Sequence, residues 1–208
     1  IFEYHQYSKL RNYIFKKVSR LNNVKIIYLN ELIKKEFNMP PQKSLILASG
    51  VDIQLFQNIS KNNKIENKII FVGNLLRFGK QRNLENILSV FQTLEEFNLT
   101  IIGGPTSESN RLTNLVSELN LSNVTIKGRL SRQETINEIM TSSYGLLVNS
   151  DDNHSRLFTS PLKYFEYLAA NLKVIAVNFP SHNLLPEQNN IYYFENNDLD
   201  SLKKSIYQ

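Results

Sequence analysis

Residues 159–177 read TSPLKYFEYLAANLKVIAV, and the fold follows from how this stretch is parsed. Ser160 is a good helix N-cap, and Pro161 suits the first helical position, where a missing N–H costs nothing. Leu162, Phe165, Ala169 and Leu172 recur at helical spacing and are expected to form the buried face. LKVIAV then reads as a strand with no polar alternation. A strand apolar on both sides is covered on both sides, which is the mark of a parallel sheet between helices.

The same parse repeats outward in both directions. KIIFVG (68–73), FNLTIIGG (97–104), NVTIKG (123–128), YGLLVNS (144–150) and NIYYFE (190–195) read as strands. Helices are expected at about 80–95, 108–119 and 132–141, and from Asp198 onward. Ahead of them, IFEYH (1–5), VKIIYLN (24–30) and the apolar part of PPQKSLILASG (40–50) read as strands. A basic amphipathic helix at 8–21, with Leu10, Ile14, Val18 and Leu21 on one side, and a short helix ELIKKEF (31–37) lie between them. The expected fold is α/β: a Rossmann-like parallel sheet with helices on both faces, preceded by part of a second such domain. The break is placed at SGVD (49–52), giving segments 1–47 and 48–208, and NNKIENK (62–68) is a polar link.

Composition narrows the function. The chain has 208 residues, 41% hydrophobic and 21% charged, and folds rather than staying disordered. The absence of cysteine removes disulfides, thiolate metal sites and a catalytic thiol, and fits a cytoplasmic setting. No apolar run reaches the roughly 20 residues that cross a bilayer. The net charge is +5, and residues 1–47 hold nine Lys or Arg against three acids. That basic segment could meet an anionic membrane or substrate, and it equally fits a solvated helix face. No interleaving of basic and aromatic residues suggests nucleic acid. His5, His154 and His182 lack metal-ligand spacing, and SDDNH (150–154) reads as an acidic loop that could bind a cation but more simply is solvated.

In open parallel sheets, ligands bind beyond the carboxyl ends of the strands. Four loops lie there. In GNLLRFGKQR (73–82), Gly73 ends a strand, and Arg77, Lys80 and Arg82 follow close to an expected helix start, where free N–H groups attract phosphate. Neither a Walker A loop nor a dinucleotide fingerprint is present. IIGGPTSE (101–108) turns at Gly103–Gly104. KGRLSRQE (127–134) holds Lys127 and Arg129, with Ser131 and Glu134 spaced as a capping box. The fourth loop precedes the opening helix, where Lys163 and Glu166 are surface neighbours three residues apart. They read as an ordinary ion pair, or as a cation for phosphate and a carboxylate for sugar hydroxyls; the residues alone leave both open.

Taken in order, SGVD…F, IIFVGNLLRFGK, LTIIGGP, VTIKGRL, YGLLVNS and TSPLKYFEYLAANLKVIAV resemble the family 4 (group 1) glycosyltransferases over nearly the whole chain. The resemblance implies a GT-B fold, two Rossmann-like domains around a cleft. It makes 48–208 the nucleotide-sugar domain, without its usual final helices, and 1–47 the end of the acceptor-side domain, so that the chain reads as a fragment whose activity by itself is in question. The implied activity is transfer of a sugar from a nucleotide-diphosphate-sugar donor to a glycan or lipid-linked acceptor, with retention. The setting would be surface polysaccharide or glycoconjugate synthesis in the cytoplasm, with the basic segment at the inner membrane face. No metal or other cofactor is expected. A nucleotide-sugar 2-epimerase of the same fold, and a truncated non-catalytic binding module, are the alternatives.

The second acid of the family's E-x7-E motif matches Glu166. The first falls on Phe158, a departure seen in the SPLK…EY form of the motif. The family's basic residue seven positions after the strand-ending glycine matches Lys80; its arginine directly after that glycine is Asn74 here, and Arg77 or Arg82 is expected to replace the charge. Glu166 and Lys80 are thus the implied catalytic-site residues. The implied donor site also contains Gly73, Asn74, Arg77, Arg82, Gly104, Arg129, Asn149, Ser160, Pro161, Leu162 and Lys163.

Overall fold

The computed structural model describes residues 2–4, 9–37, 43–57, 64–77 and 79–208. Ser8, His5, Phe78 and the Pro40–Pro41 pair lie outside the described residues, as does part of the 62–68 link. The described residues fall into two compact units. One comprises 1–50, 151–161 and 179–188; the other comprises 51–150, 162–178 and 189–208. The sequence reading sets a single break near residue 48, whereas contacts also group two later segments with the first 50 residues.

The smaller unit contains three parallel strands in the order β1 (Phe2–Tyr4), β2 (Ile26–Tyr28), β3 (Ser44–Ile46), with Phe2 opposite Ile26 and Ile26 opposite Ser44. Helices α1 (Lys9–Val18) and α2 (Glu31–Phe37) connect them. Helix α1 is shorter than the 8–21 span expected, and Leu10, Ile14 and Leu21 are exposed. Its core gathers Val24, Ile26, Tyr28, Ile33 and Phe158. Phe158 arrives on the segment after the YGLLVNS strand. Asn30 ties that segment down, donating from Nδ2 to the carbonyls of Leu157 and Thr159 at 3.1 Å each. SDDNH is not an open acidic loop. It starts helix α7 (Asn153–Leu157), capped by Asp152, whose carboxylate accepts from the Ser155 N–H and hydroxyl.

The larger unit is built on a six-stranded parallel sheet. In chain order the new elements are α3 (Gln54–Gln57), β4 (Lys68–Val72), β5 (Leu76–Arg77), β6 (Lys80–Gln81), α4 (Leu84–Val90), β7 (Asn98–Ile102), α5 (Thr106–Glu118), β8 (Val124–Ile126), α6 (Arg132–Met140), β9 (Tyr144–Leu147), α8 (Leu162–Ala169), β10 (Lys173–Val177), β11 (Ile191–Phe194) and α9 (Leu199–Ile206). The sheet order is β11-β10-β9-β4-β7-β8. From β4 the chain runs outward to β7 and β8, returns through α6 to β9, and then runs the other way to β10 and β11. Right-handed crossovers therefore place α4 and α5 on one face and α6 and α8 on the other. The order reverses between β4 and β9, the position where open α/β sheets leave a crevice.

The strands are buried because nearly every residue in them is apolar. Ile69, Ile70, Phe71, Leu99, Ile101, Val174 and Ile175 are all at most 1% exposed, and each such side chain contributes about 1.5–3 kcal/mol by leaving water. Helices α5 and α8 end on Asn120 and Asn171 in left-handed conformation, at φ 53 and φ 55. The Leu172 N–H then bonds the Tyr167 carbonyl at 2.9 Å, a Schellman closure. With only 7 glycines in the chain, asparagine takes most of the positive-φ positions among the described residues.

Two further expectations change. The span 80–95 is not one helix. Lys80–Gln81 pairs antiparallel with Leu76–Arg77, and the helix occupies only Leu84–Val90 before a 3-10 turn at Phe91–Thr93. Helix α8 also buries a different face from the one expected. Leu162 is 54% exposed and Phe165 is half-buried, while Tyr164 and Tyr167 are fully buried. The Tyr167 ring covers Gly145, where a Cβ would lie 2.3 Å from the ring. The Tyr167 hydroxyl accepts the Val72 N–H at 3.1 Å. Pairing of β4 with β9 stops at Ile70–Gly145, so the phenol serves a backbone donor that the ladder no longer reaches.

Candidate functional site

Beyond β4, β7 and β8 the backbones stay joined. Gly73 N–H donates to the Ile102 carbonyl, Gly103 N–H to the Gly128 carbonyl and Leu75 N–H to the Gly104 carbonyl, at 3.0, 2.8 and 2.8 Å. A cleft of about 700 Å³ opens above this seam, floored by Gly73, Asn74, Gly103 and Gly104 and walled by Arg129, Leu130, Arg132, Thr135 and Lys163. Two of the floor glycines leave no room for a side chain. A Cβ on Gly103 would sit 1.8 Å from the Gly73 carbonyl oxygen, and one on Gly104 would sit 2.6 Å from Arg129 Nε.

Arg129, Arg132 and Lys163 place three cations on the walls. Arg132 opens α6, whose start is fixed by Ser131. The Ser131 hydroxyl accepts the Glu134 N–H, and the Glu134 carboxylate accepts the Ser131 N–H, the reciprocal box that the sequence spells out. Hydrogen bonding with the Ser131 side chain, and then with its backbone N–H, holds the Glu134 carboxyl below its ordinary value. From the next residue, Arg132 Nη1 reaches across to Glu166 Oε1 at 3.1 Å, while Lys163 Nζ donates to Glu166 Oε2. The Glu166 side chain is 5% exposed. Each of its oxygens carries one cation, and both cations face the cleft. The Lys163–Glu166 pair is therefore part of a three-member network, and Arg132, which sequence reasoning passed over inside a capping motif, completes it.

The remaining expected residues are distributed more widely. Gly73, Asn74, Gly104, Arg129 and Lys163 come together in the cleft. Arg82 lies against the floor, with Nη1 3.5 Å from where a Cβ on Gly73 would be, and its charge reaches the Tyr167 hydroxyl. Burial pushes that phenol far above its usual range, against the pull of the Val72 N–H. Arg82 and Asn149 line a second, small hollow with Asn83, Val177 and Phe194. Arg77 is half-buried on β5, and Lys80 is exposed on β6. Lys80 stands on a hairpin rather than at a helix start, and it is not among the residues lining the cleft. Ser160 does not cap α8 as expected, because the helix begins two residues later; its hydroxyl accepts the Ser49 N–H at 2.9 Å and its carbonyl accepts the Ser49 hydroxyl at 2.9 Å. Pro161 is half-buried just before α8, and Leu162, its first residue, is exposed. Among the described residues no group of three His, Asp or Glu side chains is placed to hold a metal ion.

Several solved structures share this architecture. A glycosyltransferase from Rickettsia africae superposes with a TM-score of 0.72 at 14% identity, covering 99% of this chain and 58% of that one. Anabaena HepE, solved with UDP and glucose, gives 0.68 at 14% identity, covering 99% and 60%. Staphylococcus aureus TarM, solved with UDP among its ligands, gives 0.70 at 15% identity, covering 96% and 39%. The chain thus spans roughly 60% or less of the length of these proteins, and at such identities they show a common fold. No curated protein sequence matches it. Residues 66–208, well over half of the chain, match the family model described as glycosyl transferases group 1, and the chain belongs to that family.

Proposed function

We propose that the chain is the donor-binding portion of a glycosyltransferase that takes a sugar from a nucleotide-diphosphate-sugar. The observation that carries this reading is the convergence of Arg129, Arg132 and Lys163 on a floor where Gly103 and Gly104 leave no room for side chains, at the carboxyl ends of β4, β7 and β8. A bare floor lets a diphosphate approach the backbone, and cations on the walls offset its charge. When the sugar leaves, negative charge builds on the departing diphosphate, and preformed cations stabilise that state more than the ground state. The ligands named for HepE and TarM, UDP in each case, support the same class of donor.

In this reading Gly73, Asn74, Gly104 and Arg129 receive the diphosphate with Lys163. Glu166 accepts from ribose hydroxyls, and Arg82, Arg77 and Lys80 add charge from the hairpin side. Asn149, Ser160, Pro161 and Leu162 complete the proposed donor contacts. Retention, a glycan or lipid-linked acceptor, a role in surface polysaccharide synthesis and a position at the cytoplasmic membrane face are carried by the family resemblance. The basic helix α1, with Lys16 and Lys17 in its last turn and Leu10, Tyr13 and Ile14 exposed, is the proposed membrane contact. Among the described residues no helix is long and apolar enough to cross a membrane.

The test is a thermal-shift and calorimetric screen of the chain against UDP, GDP, ADP and their sugars. Saturable binding of one nucleotide family, weakened by Glu166→Ala and Lys80→Ala in well-folded variants, supports the reading. Unchanged affinity in both variants refutes these two site assignments, and absence of any nucleotide binding refutes the function.

A further inference from the structure

Glu166 faces a problem of supply. Its two oxygens already hold Arg132 and Lys163, the same cations that the proposed function assigns to the donor, and Glu166 itself is assigned to sugar hydroxyls. The two partners differ in how they are held. Lys163 is one turn away on the same helix and its side chain is 28% exposed; Arg132 comes from α6 and is 57% exposed. The arginine has the longer reach and the weaker hold, because more of its side chain stands in water.

We propose that Glu166 is the cleft's resident counter-anion, and that Arg132 exchanges it for the ligand's diphosphate. This rests on the donor-site reading and adds a specificity device to it. In the structure Arg132 bonds Glu166 Oε1. An arriving diphosphate draws the guanidinium toward itself beside Arg129, which precedes it by three residues on the same β8–α6 segment. A diphosphate suits a planar fork better than a single shared carboxylate oxygen does. Once Arg132 leaves, Oε1 can accept a hydroxyl hydrogen bond, while Lys163 keeps Oε2 in place. Anion capture and polyol capture are thereby coupled through one oxygen atom. A ligand with only one of the two groups gains less than half of what a ligand with both gains.

Inorganic pyrophosphate isolates the anion step. Calorimetry on the wild-type chain, Arg132→Gln, Arg132→Lys and Glu166→Gln, with melting curves to confirm folding, reads it out. Arg132→Gln is expected to bind pyrophosphate about tenfold more weakly, and Arg132→Lys to recover part of that loss. Glu166→Gln, which keeps the shape and removes the competing charge, is expected to bind pyrophosphate at least threefold more tightly, while its preference for a nucleoside diphosphate over pyrophosphate shrinks. A purely structural role for Glu166 would weaken both ligands together. Equal pyrophosphate affinity in wild type and Arg132→Gln, or weaker affinity in folded Glu166→Gln, overturns the exchange even if UDP, GDP or ADP binds the wild type. Pyrophosphate binding with these signs but no nucleotide binding keeps the exchange and removes the donor reading. Absence of binding by either ligand class removes both.

Discussion

The Gly103 α-carbon rests so close to the Gly73 carbonyl that a methyl group in its place would lie 1.8 Å from that oxygen. Both partners are backbone, so neither can rotate away. Gly103→Ala is therefore expected to cost about 3 kcal/mol, at the upper end of what overpacking usually takes. For a chain of this size that corresponds to a fall in Tm of about 6–12 °C. A melting curve within 2 °C of wild type would contradict the close approach.

Tyr167→Phe removes a single oxygen from the buried face of α8. The Val72 N–H, which that oxygen serves at 3.1 Å, would be left without its phenol partner. The expected loss is about 1–3 kcal/mol in urea denaturation with an unchanged m-value. Gly145→Ala, by contrast, pushes on the ring itself, which a Cβ would meet at 2.3 Å, and is expected to be the worse of the two.

Acid sensitivity has an identifiable contributor in Glu138. Burial by itself would raise this carboxyl; hydrogen bonds and charge from Lys127 and Lys68 outweigh it and hold the group below its ordinary value of 4.5. The folded state thus favours the charged form. Its contribution is complete above about pH 4.5 and is lost as pH falls through the lower folded value. Stability profiles of Glu138→Gln are expected to be flatter than wild type below that pH and lower than wild type above it. Parallel profiles would show that the pair with Lys68, at 2.9 Å, contributes nothing.

On the cleft walls, Arg129→Ala and Lys163→Ala are each expected to reduce nucleoside diphosphate affinity about tenfold in calorimetry, with loss of the steep salt dependence that accompanies charge pairing. Wild-type affinity in both would leave the cleft without its charged function.

Helix α1 provides the fourth functional test. Reversing Lys16 and Lys17 to glutamate is expected to abolish co-sedimentation with vesicles rich in anionic lipid and to leave behaviour with neutral vesicles unchanged. Wild-type sedimentation that ignores lipid charge would dismiss the membrane contact.

The sheet was legible because its strands are written as unbroken apolar runs such as KIIFV and KVIAV, which suit few other structures. The glycines that floor the cleft were legible as strand ends. The hairpin Leu76–Gln81 was not, because two-residue ladders leave no periodicity, and its arginine and lysine resemble a helix start. Arg132 escaped notice for another reason: Ser131 and Glu134 fully account for the segment as a cap, and only the fold carries α6 to α8. Phe158 illustrates a third case. As a missing acid it reads as a departure from the motif, yet it packs with Val24, Ile26, Tyr28 and Ile33, a role that no local pattern announces.

That packing bears on how the protein can be dissected. Segments 151–161 and 179–188 share a compact unit with the first 50 residues, so an expression clone beginning at residue 51 would strip Phe158 of its neighbours and the Leu157 and Thr159 carbonyls of the Asn30 amide. Such a clone should be sticky and protease-sensitive along exactly those two stretches, whereas co-expressing residues 1–50 as a separate polypeptide should restore a clean digest.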